Sequence, residues 1–254
     1  MSDPLFLVRG LTVEFGGLTA LSGLDMEVNP GEIVGLIGPN GAGKTTAFNA
    51  ITGIVRPSAG RVYFRGTDIT HWSPPRIASA GIARTFQSIR LYDDLTVAEN
   101  VMVASHSAIS YTFLEAIVGL GRFSREERRI QEKAERLLDL MGLTEFARER
   151  ASSLPYGSQR KLEVARALAL EPSLLLLDEP VAGMNPAETM EFSNLLRKIR
   201  EDLDLSIALI EHDMGFVMKI CHTITVIDHG IPIARGAPGE IKTNEQVIAA
   251  YLGE

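Results

Sequence analysis

Two short stretches of this chain carry residue types in a pattern suited to phosphate chemistry. Residues 38–45 read GPNGAGKT, the spacing G-x-x-x-x-G-K-[ST] of a loop that wraps phosphate groups. Glycines let successive backbone N–H groups turn inward onto phosphate oxygens, and the helix that follows adds the positive end of its dipole. Lys44 is placed to neutralise the β- and γ-phosphates of a nucleotide, and the Thr45 hydroxyl to ligate Mg²⁺. The expected phosphate-binding set is Gly38, Pro39, Asn40, Gly41, Ala42, Gly43, Lys44, Thr45 and Thr46. The second stretch, LLLLDEP at 174–180, ends an apolar run on two carboxylates. Asp178 suits Mg²⁺, directly or through water, whereas Glu179, one residue on, points elsewhere and is placed to orient or deprotonate an attacking water.

Such residues act together only if a sheet edge gathers them. EIVGLIG (32–38), LLLLD (174–178) and SIALI (206–210) are unbroken apolar runs, the pattern of strands buried on both faces of a mainly parallel sheet, whose ligands lie at the carboxyl ends. The opening segment instead alternates, with Leu5 and Leu7, then Leu11, Val13 and Phe15, then Leu24, Met26 and Val28 on the apolar side, before a turn at Asn29-Pro30-Gly31. That alternation predicts antiparallel strands with one wet face. Between about 88 and 158 the pattern turns helical. Capping boxes at Thr96/Glu99 and Ser124/Glu127 predict two helix starts, and Ile130, Ala134, Leu137, Leu138 and Met141 form one apolar stripe. Asn185-Pro186-Ala187-Glu188 predicts a further helix with Phe192, Leu195, Leu196, Ile199 and Leu203 on its buried face. TITVIDHGIPIARG reads as two strands joined at Asp-His-Gly, followed by a short amphipathic end containing Val247, Ile248, Tyr251 and Leu252.

Composition limits the setting. The 254 residues, 45% hydrophobic and 22% charged, suffice for one large α/β domain with an inserted subdomain. The start MSDPLFLVRG lacks a signal-peptide pattern and the longest apolar runs are too short to cross a bilayer, so the expectation is a cytoplasmic protein whose membrane association runs through another protein. A net charge of −7 without a basic stripe argues against nucleic acid as a partner. The single cysteine, Cys221, cannot form an internal disulfide and suits a buried apolar position.

With the phosphate loop and acidic pair in this order, the chain resembles, over essentially its whole length, the nucleotide-binding subunit of an ATP-binding cassette (ABC) transporter. The resemblance implies a P-loop NTPase α/β core with a mainly parallel sheet, an N-terminal antiparallel β subdomain and an inserted α-helical subdomain. As one ABC ATPase domain over 1–254, residues 1–87 and 159–236 would form the core, 88–158 the helical subdomain and 237–254 a tail. It further implies that Phe15 stacks on adenine, that Gln87 in GIARTFQ reaches Mg²⁺ and the attacking water, and that His212 in LIEHD contacts the γ-phosphate and the catalytic centre. On this reading Glu179, His212 and Gln87 are catalytic, and Thr45, Gln87 and Asp178 hold the metal.

LPYGSQRKLEVARAL (154–168) corresponds to the family's signature segment, L-S-G-G-Q, which closes on the nucleotide of the opposite subunit. Leu154 and Gly157 keep the pattern, while Pro155, Tyr156 and Ser158 depart from it. Pro155 stands where the family's serine donates to the γ-phosphate, and it has neither a hydroxyl nor an N–H. The N–H groups of Tyr156, Gly157 and Ser158 and the Ser158 hydroxyl remain, with the start of a helix running from about 158 to 170. Two readings of Pro155 stand: an altered lid that slows one ATP site, or a residue that only fixes how the chain enters the helix. Asn185, where the family often has aspartate, also suits an N-cap.

GIARTFQSIRLYDDLTVAENV, YGSQRKLEVARALAL, DEPVAGMNPAET and VIAAYLGE are most similar to the ATPase of branched-chain (hydrophobic) amino acid importers, with the lipopolysaccharide-export ATPase as the alternative. The resemblance implies ATP and Mg²⁺ as cofactors and a head-to-tail dimer with itself or a paralogue. It also implies separate permease subunits, a periplasmic binding protein reached through them, and a place on the inner face of the cell membrane. A P-loop small-molecule kinase needs neither Gln87, the L-x-x-G-x-Q segment nor His212 in this order. A non-transport cassette protein would carry two cassettes or a long coiled-coil insertion. The apolar, weakly periodic segment 103–123 has two readings, packing beneath the helical subdomain or forming part of a groove for the permease.

Overall fold

In the computed structural model, which describes residues 3–105 and 122–252, the alternating opening segment folds as β1 (Phe6–Phe15) and β2 (Leu18–Val28), paired antiparallel. The buried face differs from the one read from the sequence. Phe6 and Val8 are fully buried, whereas Leu5 and Leu7 are only half-buried and Phe15 is 49% exposed. The cause is a register shift between Val8 and Leu11, with Gly10 at φ +57°. A bulge moves the period-2 pattern by one residue, so Phe6, Val8, Leu11 and Val13 share one face.

The remaining strands are β3 (Ile33–Ile37), β4 (Ala59–Phe64), β5 (Thr67–Asp68), β6 (Ile82–Arg84), β7 (Leu174–Asp178), β8 (Ser206–Glu211), β9 (Thr223–Asp228) and β10 (Ile231–Gly236). Among the described residues they form two sheets, one of order β2-β1-β4-β5 and one of order β10-β9-β3-β8-β7-β6. Every pairing from β9 through β6 is parallel, and only β10 runs antiparallel. Every residue of β3, β7 and β8 is buried, which is why these runs are continuously apolar rather than alternating. Phe48 and Ile51 of the helix Lys44–Ile51 join one core cluster with Phe6, Leu24 and Met26 of the first sheet and Leu36, Leu174 and Ile210 of the second.

The chain divides into two compact units, Met1–Gln87 with Ser173–Glu254, and Ser88–Pro172. Both sheets belong to the first. The second is helical, with helices Val97–Ser105, Arg122–Met141 and Tyr156–Leu168 packed on one another. The Thr96/Glu99 box is formed: Glu99 N–H donates to Thr96 Oγ1 at 3.2 Å and Thr96 N–H to Glu99 Oε2 at 2.8 Å. The second expected start is displaced. The helix is already running at Arg122, so Ser124 lies inside it rather than capping it. Its apolar stripe, from Ile130 to Met141, is buried. Residues 106–121 of the segment 103–123 lie outside the described residues, and neither reading of it is resolved.

At Pro186–Asp202 the capping box is complete, with Asn185 Oδ1 accepting from Ala187 N–H at 2.9 Å and Glu188 N–H at 3.0 Å while Glu188 Oε2 accepts Asn185 N–H at 2.9 Å. Phe192, Leu196 and Ile199 are buried, but Leu203, expected on the same face, is 44% exposed. It is the C-cap residue, at φ −111°, where the helical period no longer directs its side chain. In the tail, Val247 is buried, whereas Ile248 is exposed and Tyr251 half-buried. Among the described residues no helix is long and apolar enough to cross a membrane. Replacing Asn185 by Ala removes the acceptor for two N–H groups and is expected to cost about 1 kcal/mol, read as a lower urea midpoint with an unchanged denaturant slope.

Candidate functional site

The phosphate loop takes its shape from what the backbone must avoid. A Cβ on Gly38 would lie 2.0 Å from the Ile227 carbonyl oxygen, and one on Gly43, at φ +98°, 2.6 Å from the Ala20 carbonyl oxygen. Only glycine fits such an approach. The loop is also pinned from its neighbour: Gly230 N–H donates to the Ala42 carbonyl at 3.0 Å, and Ser22 N–H to the Gly230 carbonyl at 2.7 Å. Lys44 opens the following helix, and its Nζ donates to the carbonyls of Gly38 at 2.7 Å and Pro39 at 2.9 Å. Burial pushes the Lys44 amine below its ordinary pKa, while the negative charges of Glu179, Asp178 and Glu211 oppose the change.

A cleft of about 600 Å³ opens over this loop, lined by Asn40 to Thr46, Gln87, Glu179, the β2 start Leu18–Ala20, and His229 with Gly230 at the β9–β10 turn. Strand β7 ends on Asp178, one residue before the Glu179 that lines the cleft, and Asp178 is 1% exposed. One carboxylate oxygen, Oδ2, accepts from Arg84 at 2.8 Å. The other, Oδ1, is buried with no hydrogen bond among the described residues. Arg84 also donates to Asn49 Oδ1 at 2.9 Å and Thr52 Oγ1 at 3.0 Å, and lies 5.0 Å from the Phe86 ring centroid. Removing either partner of such a buried pair would strand the other charge away from water.

Glu179 leaves the strand with φ +49°, a left-handed backbone at a non-glycine residue. Its N–H is held by the Ile210 carbonyl at 2.9 Å, and its Oε2 accepts Gln87 Nε2 at 2.9 Å. His212 Nδ1 stands 4.0 Å from the same oxygen. The turn therefore sends Asp178 and Glu179 in different directions and brings Glu179, Gln87 and His212 together. That grouping suits a water-orienting or proton-accepting role for the carboxylate.

The metal-ligand expectation has a local basis. Among the described residues no group of three or more His, Cys, Asp or Glu side chains could hold a metal ion. The orphaned Oδ1 of Asp178 and the Thr45 hydroxyl at the cleft are hard oxygen donors, few enough for a cation completed by nucleotide phosphates, as Mg²⁺ is. Phe15 stands outside the cleft lining, although it pairs across β1–β2 with Leu18, which lines it.

In the second unit Leu154 is buried, and Pro155 is the N-cap of Tyr156–Leu168, so the helix begins two residues before the expected 158. The Pro155 carbonyl accepts Gln159 N–H at 3.0 Å. This places the N–H groups of Tyr156, Gly157 and Ser158 in the first turn, where a helix supplies no internal acceptor. Pro155 itself supplies no side-chain cap.

Sequence reasoning missed Arg84, Glu211 and the His229-Gly230 turn. Arg84 sits only three residues before Gln87 but reveals itself through a partner 94 positions away. His229, at φ +44°, carries no signal in the sequence beyond that of a hairpin turn.

A family model described as ABC transporter matches residues 21–182, and one described as branched-chain amino acid ATP-binding cassette transporter matches 232–254. The high-affinity branched-chain amino acid transport ATP-binding proteins BraF of Pseudomonas aeruginosa and LivG of Escherichia coli are each 44% identical over 254 residues, covering 100% of both chains. Among solved structures, the ADP conformation of an ATP-binding cassette of an ABC transporter matches with TM-score 0.87 at 29% identity over 100% of both chains. A nucleotide-free cassette matches with TM-score 0.86 at 30% identity, over 99% of this chain and 100% of the other. Substituting Arg84 by Ala strands the Asp178 carboxylate and is expected to cost about 3–5 kcal/mol, measured as a loss in the free energy of urea unfolding.

Proposed function

The chain belongs to the ABC transporter family, as one of its ATP-hydrolysing cassettes, and from that premise we propose that it powers the import of branched-chain or other hydrophobic amino acids through separate membrane permease subunits. The observation that carries the substrate class is likeness along the whole chain, 44% identity to two amino acid transport ATPases. It weighs against the lipopolysaccharide-export alternative. Cargo never meets an ATPase subunit, so no side chain of the cleft speaks to it.

On this reading Gly38 to Thr46 cradle the phosphates, and Lys44, held over the loop by two carbonyls, faces their charge. Phe15 stacks on the adenine. Mg²⁺, held by Thr45, Asp178 and Gln87, would offset charge between the β- and γ-phosphates. Glu179 takes a proton from, or orients, the attacking water. Gln87 fixes the carboxylate by the 2.9 Å bond, and His212, 4.0 Å from the same oxygen, would contact the γ-phosphate. Leu154, Gly157 and Ser158 act in the site of the opposing subunit of a head-to-tail dimer, itself or a paralogue. A periplasmic binding protein delivers cargo to the permease, which holds this chain at the inner face of the cell membrane. Closure of the dimer drives the permease, and hydrolysis reopens it.

Replacing Glu179 by Gln should lower ATP turnover by about 10² or more while nucleotide binding persists, measured by phosphate release beside equilibrium binding of a fluorescent ATP analogue. Unchanged hydrolysis would sink the assignment. Purifying the chain from its native membrane should bring down a permease and an amino acid binding protein.

Pro155 bears on the partner's turnover rather than this chain's. One charge-assisted donor to a phosphate is worth about 1.5–3 kcal/mol, so Pro155→Ser is expected to raise the ATPase rate of the reconstituted complex by roughly tenfold to a hundredfold. An identical rate would mean that Pro155 only fixes how the chain enters its helix.

A further inference from the structure

Glu211 ends β8 with its side chain completely buried. Oε1 accepts Val181 N–H at 3.0 Å, and Oε2 accepts the N–H groups of His212 at 3.0 Å and Asp213 at 3.4 Å. Val181 lies in the loop that follows Asp178 and contains Glu179. His212 and Asp213 open the next loop, which leads to the helix Met214–Ile220. One carboxylate thus grips the backbones of two loops whose side chains, Glu179 and His212, face each other at 4.0 Å. Among the described residues no lysine or arginine forms an ion pair with it; its nearest ring nitrogen is His212 Nδ1 at 3.8 Å. Burial pushes the Glu211 carboxyl up from its ordinary pKa, and the three N–H donors work in the opposite direction.

A hydroxyl in this position would reach one loop. Two oxygens on a three-carbon stem reach both, and a buried carboxylate is a costly way merely to tie a surface turn. We propose that Glu211 is a positioning residue for ATP hydrolysis, holding the loop of Glu179 and the loop of His212 in mutual register so that carboxylate and imidazole meet the same water and γ-phosphate. The proposal rests on the reading of Glu179 and His212 given above.

The test uses the full chain with Mg-ATP and compares Glu211→Gln, which keeps the shape, with Glu211→Asp, which keeps the charge but shortens the reach by one methylene. Each variant is expected to lower kcat by about tenfold with KM and the binding of a fluorescent ATP analogue unchanged. In a His212→Ala background the further loss from Glu211→Gln should be smaller than in the wild type, because one of the two groups held in register is gone. A loss of equal size in both backgrounds, a parallel loss of ATP binding, or a wild-type kcat in both variants overturns the proposal. Glu179→Gln and His212→Ala alone separate the two levels. If both turn over at the wild-type rate, the reading of the site fails; if they are impaired and the Glu211 variants are not, only the role of Glu211 falls.

Discussion

Charge buried at the carboxyl ends of β3, β7 and β8, strands whose every residue is buried, is the constraint from which the rest of this molecule follows. Lys44, Asp178 and Glu211 are each 6% exposed or less, and a charge so placed must be met by an opposite charge or by several oriented dipoles. Lys44 is met by two loop carbonyls, Asp178 by Arg84, and Glu211 by three N–H groups. Two of the three solutions recruit loop backbone, and the third a side chain from β6. The loops are thereby fixed by the very charges they present, and the strands beneath must be wholly apolar because every polar opportunity is concentrated at their ends.

What was legible in the sequence was local. The phosphate loop, the acidic pair and the Asn185 capping box are each settled within a few residues, and the side chains that make them are the ones that name them. The buried faces of β3, β7 and β8 were legible because a strand covered on both sides needs no phase. The face of β1 was not, since one bulge at Gly10 inverts the alternation, and a bulge leaves no mark in a hydrophobic pattern beyond a glycine. Arg84 and Glu211 were illegible for another reason. Their partners lie 94 and 30 positions away, and only the parallel order of β6, β7 and β8 brings them together. Leu203 and Ser124 show the same limit at element ends, where a period says that a helix exists but not where it stops.

The helical unit solves a different problem. Proline at an N-cap contributes a fixed φ and a carbonyl but no side-chain acceptor, so Tyr156–Leu168 begins without a cap from its N-cap residue. Deeper in the same helix Arg160 pairs with Glu163 at 3.1 Å and donates to the Tyr156 hydroxyl at 3.0 Å. The tyrosine that departs from the family pattern is thus tied to the helix body.

Glu179 sits in the left-handed region at φ +49°, a conformation that costs an ordinary side chain roughly 1–2 kcal/mol. Glycine would relieve that cost, and asparagine would lessen it, but either would remove the carboxylate. Selection for thermal stability alone would therefore favour replacing the proposed base, and selection for turnover would oppose it at the same position. A thermostable variant library made from this chain is expected to lose its activity first at residue 179, with the fold intact and the gain in melting temperature small.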